Sequence, residues 1–541
     1  MRWLLGFLVA TAAVSDSPTV AGDRMRAHVR FLSANELEGR GVGTRAEVLA
    51  TSYIATQFQL AGAVPAGQAG TFYQMVPLAG VRTRRTASLT AVRRGVQLSF
   101  AWLEDFVGNN RRQTARERVE AEAVFAGYGI VAPEFDWDDY KNVDVAGKVV
   151  LVFAGEPPSD DPKRFAAEAL TRYSHWSYKF EQALRKGAVA ALLIHTAPTA
   201  GYGWQTVQAS WSAEEPYFRL PAGTRELAFA GWISEQAAAQ LVRPASVDQF
   251  LDDAKSRSFR PLSLGWQMRL DIPTDVWQFE SRNVVAMFPG SEIPSEAVVF
   301  TAHWNHLGLG MEIEGDSVYN GAIDNATGCA MLMELARAWG ALPSRPRRSV
   351  IFLSPTSEEG HMQGTEYYVS HPVVPPGRTV AAFNFDALAP IPRALDVIAA
   401  GAERTTLWPL VEQVARRFRL EASVGLEGIT AGPFRSDQHS FAKAGIPAVA
   451  LQNGTRLVGR HPDPGMELTR GQTWQHYHLP SDEYRENWDF AGLEQLALYS
   501  LALGLDAANM SALPTWNKEE EYLPVRQKSF DEAAGPARRA R

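Results

Sequence analysis

The amino-acid sequence predicts an α/β fold, in which a mostly parallel or mixed sheet is flanked by helices and carries an inserted β-rich unit. After Arg282 the chain contains short, continuous apolar runs, which are typical of strands buried on both faces of a sheet. Helical patterns lie between several of these runs, and this alternation indicates helices on both sides of the sheet. The predicted strands cover residues 283–288, 297–302, 349–354, 381–385 and 448–452.

Periodicity along the rest of the chain predicts the other elements. Residues 24–62 show helical spacing that ends at Gly62, a stop signal, and residues 330–339 carry their apolar side chains on one helical face. The tail from Asn517 to Arg541 is charged with few apolar side chains, so we expect it to lie loosely on the surface. Short β-rich runs broken by turn residues fill the region from about 85 to 285, with predicted strands at 123–128, 148–153 and 188–195.

Composition excludes several classes of protein. The 541 residues allow about three to four domain-sized units, and 46% hydrophobic with 21% charged residues is a globular profile rather than a disordered or fibrous one. The net charge of −7 argues against a general affinity for nucleic acid or anionic lipid. Cys329 is the single cysteine, so no internal disulfide and no cysteine-based zinc site can form. Any bound metal must be held by histidine, aspartate and glutamate.

The first residues resemble an export signal. Arg2 is followed by an apolar run over residues 3–14 and then by small polar residues, a pattern too short to span a bilayer. We expect residues 1–15 to act as a signal peptide for export to the periplasm or the extracellular space; a buried N-terminal helix is the alternative. No later run reaches the roughly 18 apolar residues of a membrane span, so no membrane anchor is expected.

Candidate ligands follow three of the predicted strands. His303 comes directly after the run at 297–302, Glu358 and Glu359 follow the run at 349–354, and Asp386 follows the run at 381–385. In open α/β sheets, ligand sites form beyond the carboxyl ends of the strands, so these side chains are predicted to meet at one sheet edge.

Two further residues extend this set. Asp324 precedes the predicted helix at 330–339, and His478 lies in a loop beyond the last strands, with His476 as its rival. Two histidines and three carboxylates, with only one of the adjacent Glu358 and Glu359 as a ligand, suit zinc, and a shared carboxylate can bridge two ions. Taken singly, each residue has an ordinary alternative as a solvated loop residue or a helix cap. Their combination favours a metal site.

The motifs around these residues resemble those of the zinc-dependent M28 aminopeptidases, with a protease-associated (PA) domain inserted in the catalytic domain. Residues 34–44 (ANELEGRGVGT) are similar to the opening segment of that family, and residues 125–155 are similar to its PA domains. The remaining motifs are AHWNHLG (302–308), NGAIDNATG (320–328), SEEGHMQGTEYY (357–368), FNFDA (383–387), FRSDQHSFAKAGIPA (434–448) and YHLPSDEY (477–484).

The resemblance implies the organisation of the chain. The zinc-exopeptidase type of sheet would carry the catalytic centre, and the substrate would be a peptide with a free N-terminus. The implied boundaries are 22–115 for the N-terminal part of the peptidase domain, 116–280 for the PA insert, 281–512 for the catalytic domain and 513–541 for the charged tail.

The resemblance also implies roles for the site residues. Two zinc ions per chain would be held, the first by His303 and Asp386 and the second by Glu359 and His478. Asp324 would bridge them. Glu358 would be the general base that takes a proton from the attacking water. Arg435 and Asp437 lie in a segment similar to the substrate-pocket loop of the family; a surface loop with a local ion pair is the alternative.

One position departs from the family pattern. Asn305 stands where the family usually has an aspartate that accepts a hydrogen bond from the first metal-binding imidazole. We expect the side-chain oxygen of Asn305 to keep this contact without its negative charge. Loss of such a partner typically weakens metal binding or activity by about 10–100-fold, so weaker metal binding is predicted.

Other functions remain open at the level of sequence. A glutamate-carboxypeptidase-like exopeptidase of the same superfamily would need a basic pocket for a substrate carboxylate, for which Arg435 is the nearby candidate. A glutaminyl cyclase uses a similar scaffold with a single zinc, which the full set of five ligands disfavours. A non-catalytic binding protein on this fold would be expected to have lost ligands.

Overall fold

The computed structural model describes residues 20–159, 165, 171–221, 223–425, 436–459 and 464–534. The predicted signal peptide at 1–15 and the predicted substrate-binding residue Arg435 lie outside these ranges, so both remain predictions. Within the described residues, no helix has the length and apolar character that crossing a membrane requires.

Helices surround the sheets as the periodicity predicts. In chain order the α-helices α1 to α14 of the described residues are Gly22–Leu32, Arg45–Leu60, Trp176–Arg185, Ala197–Ala200, Trp204–Ser212, Glu235–Val242, Val247–Ala254, Gly328–Gly340, Gln363–Ser370, Trp408–Arg417, Gln438–Lys443, Gly465–Thr469, Ala491–Asn509 and Leu523–Ala533.

The strands form two large sheets and two small hairpin-like pairs. In chain order the strands β1 to β21 of the described residues are Val64–Pro65, Tyr73–Thr83, Ser88–Arg93, Val96–Phe100, Phe106–Asn109, Arg116–Phe125, Val131–Ala132, Trp137–Asp138, Val149–Phe153, Ala190–Ile194, Glu215–Phe218, Phe229–Ile233, Leu262–Phe288, Ile293–Thr301, Gly308–Ile313, Asp316–Tyr319, Arg348–Ser354, Thr379–Asn384, Asp396–Ala400, Glu421–Ser423 and Ala448–Asn453.

The first sheet is mixed, as predicted, and its centre is parallel. Its strand order is β11-β2-β13-β17-β14-β18-β21-β19-β20, and β17, β14, β18 and β21 run parallel to one another. Helices α1, α2, α8 and α13 contribute to a large apolar core with this sheet, and a second core that includes Phe441 packs against other residues of the same strands. Each of the five apolar runs after Arg282 forms all or part of a strand of this sheet.

The second sheet belongs to the inserted unit. Its strand order is β4-β3-β13-β6-β9-β10-β12-β5, and the pairs from β6 through β12 are parallel. Side chains of these strands belong to two apolar cores that are separate from the cores of the first sheet. The predicted start of the insert at residue 116 is wrong, because β3, β4 and β5, at residues 88–109, already pair within this sheet. The similarity of residues 125–155 to PA domains stays a prediction.

A single long strand joins the two sheets. Strand β13 spans 27 residues, Leu262–Phe288. Its residues 262–273 pair with β6 in the second sheet, and its residues 274–284 pair with β2 in the first. The inserted unit is therefore continuous with the sheet that carries the predicted ligands.

The C-terminal segment is packed, which corrects the expectation of a loose tail. Trp516 and Tyr522 are buried in the core that contains Phe441, and helix α14 follows them. The guanidinium of Arg526 is fully buried and donates to the main-chain carbonyls of Pro514, Pro376 and Thr379. A charged residue that satisfies buried carbonyls gives no apolar signal in the sequence.

Replacing Arg526 with alanine is predicted to destabilise the fold by at least about 2 kcal/mol, because an unsatisfied buried carbonyl costs about 1–3 kcal/mol. Denaturant unfolding of the variant measures this loss. Lys528→Ala on the same helix is the control, since the Lys528 side chain is 76% exposed. Equal unfolding free energies for the two variants would contradict the anchoring of α14 by Arg526.

Candidate metal centre

The predicted ligands that follow three strands meet at one sheet edge. Strands β14, β17 and β18 are parallel neighbours, so the loops that leave their carboxyl ends lie side by side. His303 follows β14 and Asp386 follows β18, and the distance from His303 Nε2 to Asp386 Oδ1 is 3.1 Å. Glu358, in the loop after β17, has its Oε2 atom 3.9 Å from the same imidazole nitrogen.

Asp324 connects this group to a second one. It lies in a helical turn, Ala322–Thr327, directly before α8. Its Oδ1 atom is 3.4 Å from His303 Nε2, and its Oδ2 atom is 3.4 Å from His478 Nε2. His478 Nε2 is also 2.9 Å from Glu359 Oε2. The structure thus brings together all five predicted ligands, in two groups that share Asp324.

These distances fit two metal subsites. Donors bound to one tetrahedral zinc at about 2.0–2.2 Å lie roughly 3.3–3.5 Å apart, close to the observed separations. Nitrogen and carboxylate oxygen donors are the set that zinc accepts when cysteine is absent. Donor atoms of His303, Asp324 and Glu359, and of His303, Glu358 and Asp386, also cluster within 4.8 Å of one another.

The two adjacent glutamates differ in their protonation. Burial raises the pKa of Glu358 well above its usual value, and neighbouring carboxylates add to the shift. Burial and the Asp324 carboxylate act in the same direction on Glu359, but electrostatic interactions with His478 and His306 and the contact with His306 outweigh them and lower its pKa to about 2. Glu359 is held as an anion, while Glu358 retains a proton more readily. Such a difference separates a ligand from an acid–base group.

The partner of the His303 ring differs from the prediction. His303 Nδ1 donates to the main-chain carbonyl of Asn305 at 3.1 Å, which leaves Nε2 to face the carboxylates. The side-chain oxygen of Asn305 instead accepts from the Glu358 N–H at 3.1 Å. The predicted side-chain contact of Asn305 with the imidazole is therefore wrong, because the turn after His303 already presents a main-chain acceptor. Asn305 positions the backbone of the Glu358 loop.

Left-handed backbone conformations occur at or beside three residues of the site. Ser357 precedes Glu358 with φ 53°, Ala387 follows Asp386 with φ 49°, and His478 itself has φ 55°. Non-glycine residues in this region cost about 1–3 kcal/mol each and persist where the surroundings hold them firmly. The loops of the site are therefore held by contacts outside themselves.

Arg40 supplies part of that support and was not predicted as a site residue. Its buried guanidinium donates to the carbonyl of Trp304 at 2.8 Å and to those of Asn320 and Gly321 at 2.6 and 2.8 Å. A fourth donation goes to Leu32, at the end of α1. Arg40 thereby ties the loop after His303 to the turn that carries Asp324. Its sequence signal is a single arginine within the motif at 34–44.

Two more residues orient ligands. The carboxylate of Asp482 accepts from the main-chain N–H groups of Ile323 and Asp324, at 2.9 and 3.0 Å. His306 Nδ1 lies 2.6 Å from Glu359 Oε1, whereas His478 faces the other oxygen of that carboxylate, Oε2. Both residues fall inside motifs that the sequence singles out, but only long-range contacts reveal what they do.

Of the two remaining candidates, Asp437 lies near the ligands and His476 does not join them. Asp437 is fully buried near the site, where burial raises its pKa to about 7 and its Oδ1 accepts from Thr365 Oγ1 at 2.5 Å. His476 contacts Ser481 and points away, so His478 is the histidine that joins the ligands.

The inserted unit forms one wall of the site. A cavity of about 70 Å³ adjoins Glu358 and His478, and aromatic side chains of the insert line it. Arg111, in the loop between β5 and β6, reaches across to His361 with 2.6 Å between Nη1 and Nε2. The aromatic lining residues from the insert are Trp176, Tyr202 and Trp211.

Comparisons with known proteins agree with this geometry. Residues 283–502 match the sequence model of Peptidase family M28. Among curated proteins, "Aminopeptidase NAALADL1" of Mus musculus is 34% identical over 127 residues, and that of Rattus norvegicus is 33% identical over 127 residues. The aligned segment covers 23% of this chain and spans only 16% of the length of each of these relatives.

Two solved structures share the fold over nearly the whole chain. The aminopeptidase from Aneurinibacillus sp. strain AM-1 has a TM-score of 0.50 at 18% identity, covering 91% of this chain and 94% of that one. BSAP, a zinc aminopeptidase from Bacillus subtilis, has a TM-score of 0.50 at 17% identity, covering 93% of this chain and 97% of that one. The predicted α/β fold class is confirmed, and the resemblance to peptidase family M28 is confirmed over residues 283–502.

Arg40→Lys is predicted to lower the free energy of unfolding by about 2–4 kcal/mol, because a lysine cannot reach the carbonyls that the planar guanidinium connects. Denaturant unfolding monitored by tryptophan fluorescence measures the change. The exposed Arg45→Lys provides a matched control. An unfolding curve of Arg40→Lys identical to that of the wild type would show that the loop after His303 and the turn that carries Asp324 do not depend on Arg40.

Proposed function

We propose that this chain, whose residues 283–502 match peptidase family M28, is a zinc-dependent aminopeptidase that removes the first residue of peptides with a free N-terminus. The observation that carries the proposal is the pair of donor groups that share Asp324, with donor separations of 2.9–3.4 Å. The similar solved structures are aminopeptidases by description, and their fold agrees with this use of the site.

The donor groups suggest the assignment of the ligands. His303 and Asp386 would hold one zinc, and Glu359 and His478 would hold the other. Asp324 would bind both, since its two carboxylate oxygens face the two histidines separately. When bound, the zinc ions lower the pKa of a coordinated water toward about 7 and polarise the carbonyl of the scissile bond.

Glu358 is suited to move the proton. It is buried at the edge of the first donor group, and burial raises its pKa well above the usual value, so that it binds a proton more readily. Its carboxylate would take a proton from the attacking water and return it to the leaving amine. Asn305 holds the Glu358 main chain during this exchange through the 3.1 Å contact of its side-chain oxygen.

The charges around the cleft favour an amine over a carboxylate terminus of the substrate. Arg435, the predicted candidate for binding a substrate carboxylate, lies outside the described residues. Among the described residues, a cavity of about 260 Å³ beside His361 is lined by the cations Arg111 and Lys443. Arg111 already contacts His361, and Lys443 pairs with Glu366 at 2.6 Å. Three glutamates line the same cavity, so its balance is acidic: Glu181, Glu226 and Glu366. The aminopeptidase is therefore preferred to the carboxypeptidase alternative.

Removal of the metal is predicted to abolish hydrolysis of aminoacyl p-nitroanilides, and about two equivalents of zinc per chain should restore it. Chelator dialysis, metal analysis and a stepwise zinc titration measure this. N-acetylated substrates, including N-acetylated peptides with a C-terminal glutamate, serve as controls and should not be cleaved. Full activity of a metal-free protein would refute the zinc mechanism, and cleavage of the C-terminal glutamate would establish the carboxypeptidase.

Glu358→Gln is predicted to lower kcat by about 10²–10⁴-fold, the usual contribution of a general acid–base group, while the zinc content stays at the wild-type level. Glu359→Gln is the matched comparison, because the loss of a ligand should lower the zinc content itself. Metal analysis and steady-state kinetics on both variants distinguish the two roles. If Glu358→Gln also lost its zinc, Glu358 would be a ligand rather than the base.

A further inference from the structure

Helix α5 of the inserted unit lies against the loop that carries His478. Ser210 Oγ is 2.7 Å from His478 Nδ1, although the two residues are 268 positions apart. Thr206, one turn earlier on the same helix, has its Oγ1 atom 3.5 Å from the carbonyl of Tyr477. Tyr202 also approaches Tyr477, with 6.2 Å between the ring centres. The insert thus contacts this loop at three places.

The direction of the hydrogen bond to His478 follows from the surroundings of Ser210. The Ser210 hydroxyl donates its single hydrogen to the main-chain carbonyl of Thr206 at 2.8 Å. Its oxygen is then left to accept, so the hydrogen of the second contact sits on His478 Nδ1. A proton on Nδ1 leaves Nε2 as the ligand atom, and Nε2 is the nitrogen that faces Asp324 and Glu359.

The loop around His478 needs such support. His478 has φ 55°, a conformation that non-glycine residues adopt only when contacts hold them. Tyr477 stacks on the His478 ring at 3.9 Å with 24° between the planes, and the insert in turn contacts Tyr477. The orientation of this imidazole therefore depends on residues of the inserted unit.

We propose that Ser210 is a positioning residue through which the inserted unit sets the zinc affinity of one half of the centre. This inference rests on the proposed function, in which His478 and Glu359 hold the second zinc. The first half is independent of the insert in this respect, since His303 takes its Nδ1 acceptor from the nearby carbonyl of Asn305. Ser210 lies outside residues 283–502, so the complete centre extends beyond the segment that matches the peptidase family.

The test is the affinity for each zinc ion in Ser210→Ala, measured by competition with a chromophoric chelator in the full-length protein. We expect one of the two ions, assigned to His478 and Glu359, to bind about 10–100-fold more weakly, as for other lost ligand partners, and the other ion to bind as in wild type. Alanine is the best helix former, so α5 is retained. Ser212→Ala, at the end of the same helix, is the control.

A second pair of variants separates the hydroxyl group from packing. Ser210→Thr keeps a hydroxyl and is expected to bind both zinc ions nearly as wild type. Ser210→Val, whose side chain has nearly the shape of threonine but no hydroxyl, is expected to behave as Ser210→Ala. If the alanine variant fails to fold, this pair of variants still tests whether the hydroxyl of Ser210 sets the zinc affinity.

The outcomes distinguish the two proposals. A wild-type protein with two zinc ions and unchanged affinities in Ser210→Ala and Ser210→Val would overturn the role of Ser210 alone. Equal weakening of both ions, or the same loss in Ser212→Ala, would also overturn it, because it would indicate general loosening. A wild-type protein that binds no zinc would overturn the proposed function and this inference together.

Discussion

The mutual repulsion of closely packed carboxylates is the constraint to which the rest of this structure responds. Asp324 and Glu358 are buried, Glu359 and Asp386 are half-buried, and the four converge where little water is available to screen their charges. Imidazoles stand between them, and the buried cation of Arg40 lies just behind two of their loops. Even so, one of the four carboxyls has a strongly raised pKa. The carboxylates raise the pKa of His303 and His478, whose protonation offsets part of this repulsion. A divalent cation held by the same side chains would offset it more compactly.

Sequence patterns predict the site residues that directly follow a strand along the chain. His303, Glu358 and Asp386 directly follow apolar runs, and parallel pairing of neighbouring strands is sufficient to bring such residues together. Asp324 and His478 required motif resemblance, because neither follows a strand of the central parallel group. The acceptor for His303 could not be predicted at all, since a main-chain carbonyl carries no side-chain signal. The supports at Arg40, Asp482 and Ser210 act across 150 residues or more and leave no periodic trace.

The limits of the fold prediction have a similar origin. Apolar runs identify buried strands well, whereas the start of the insert depends on which sheet each strand joins. The strands at 88–109 look like continuations of the peptidase segment along the chain, yet β3 pairs with β4 and β13, and β5 pairs with β12. The C-terminal segment was misjudged because its anchors are two aromatic residues and one arginine that bonds to carbonyls. The hydrophobicity of a segment gives no sign that a buried arginine fixes it by donating to main-chain carbonyls.

Strand β13 has a consequence for how the molecule opens. A hinge between two units normally consists of an unpaired connection that is free to rotate, but here one extended ribbon is hydrogen-bonded along both halves. Swinging the insert away as a lid would tear ladder bonds from Thr274 onward. For the peptidase proposed above, entry and release of a substrate would therefore rely on side chains and short loops at the rim of the site. Such access would favour narrow, flexible peptides over folded proteins.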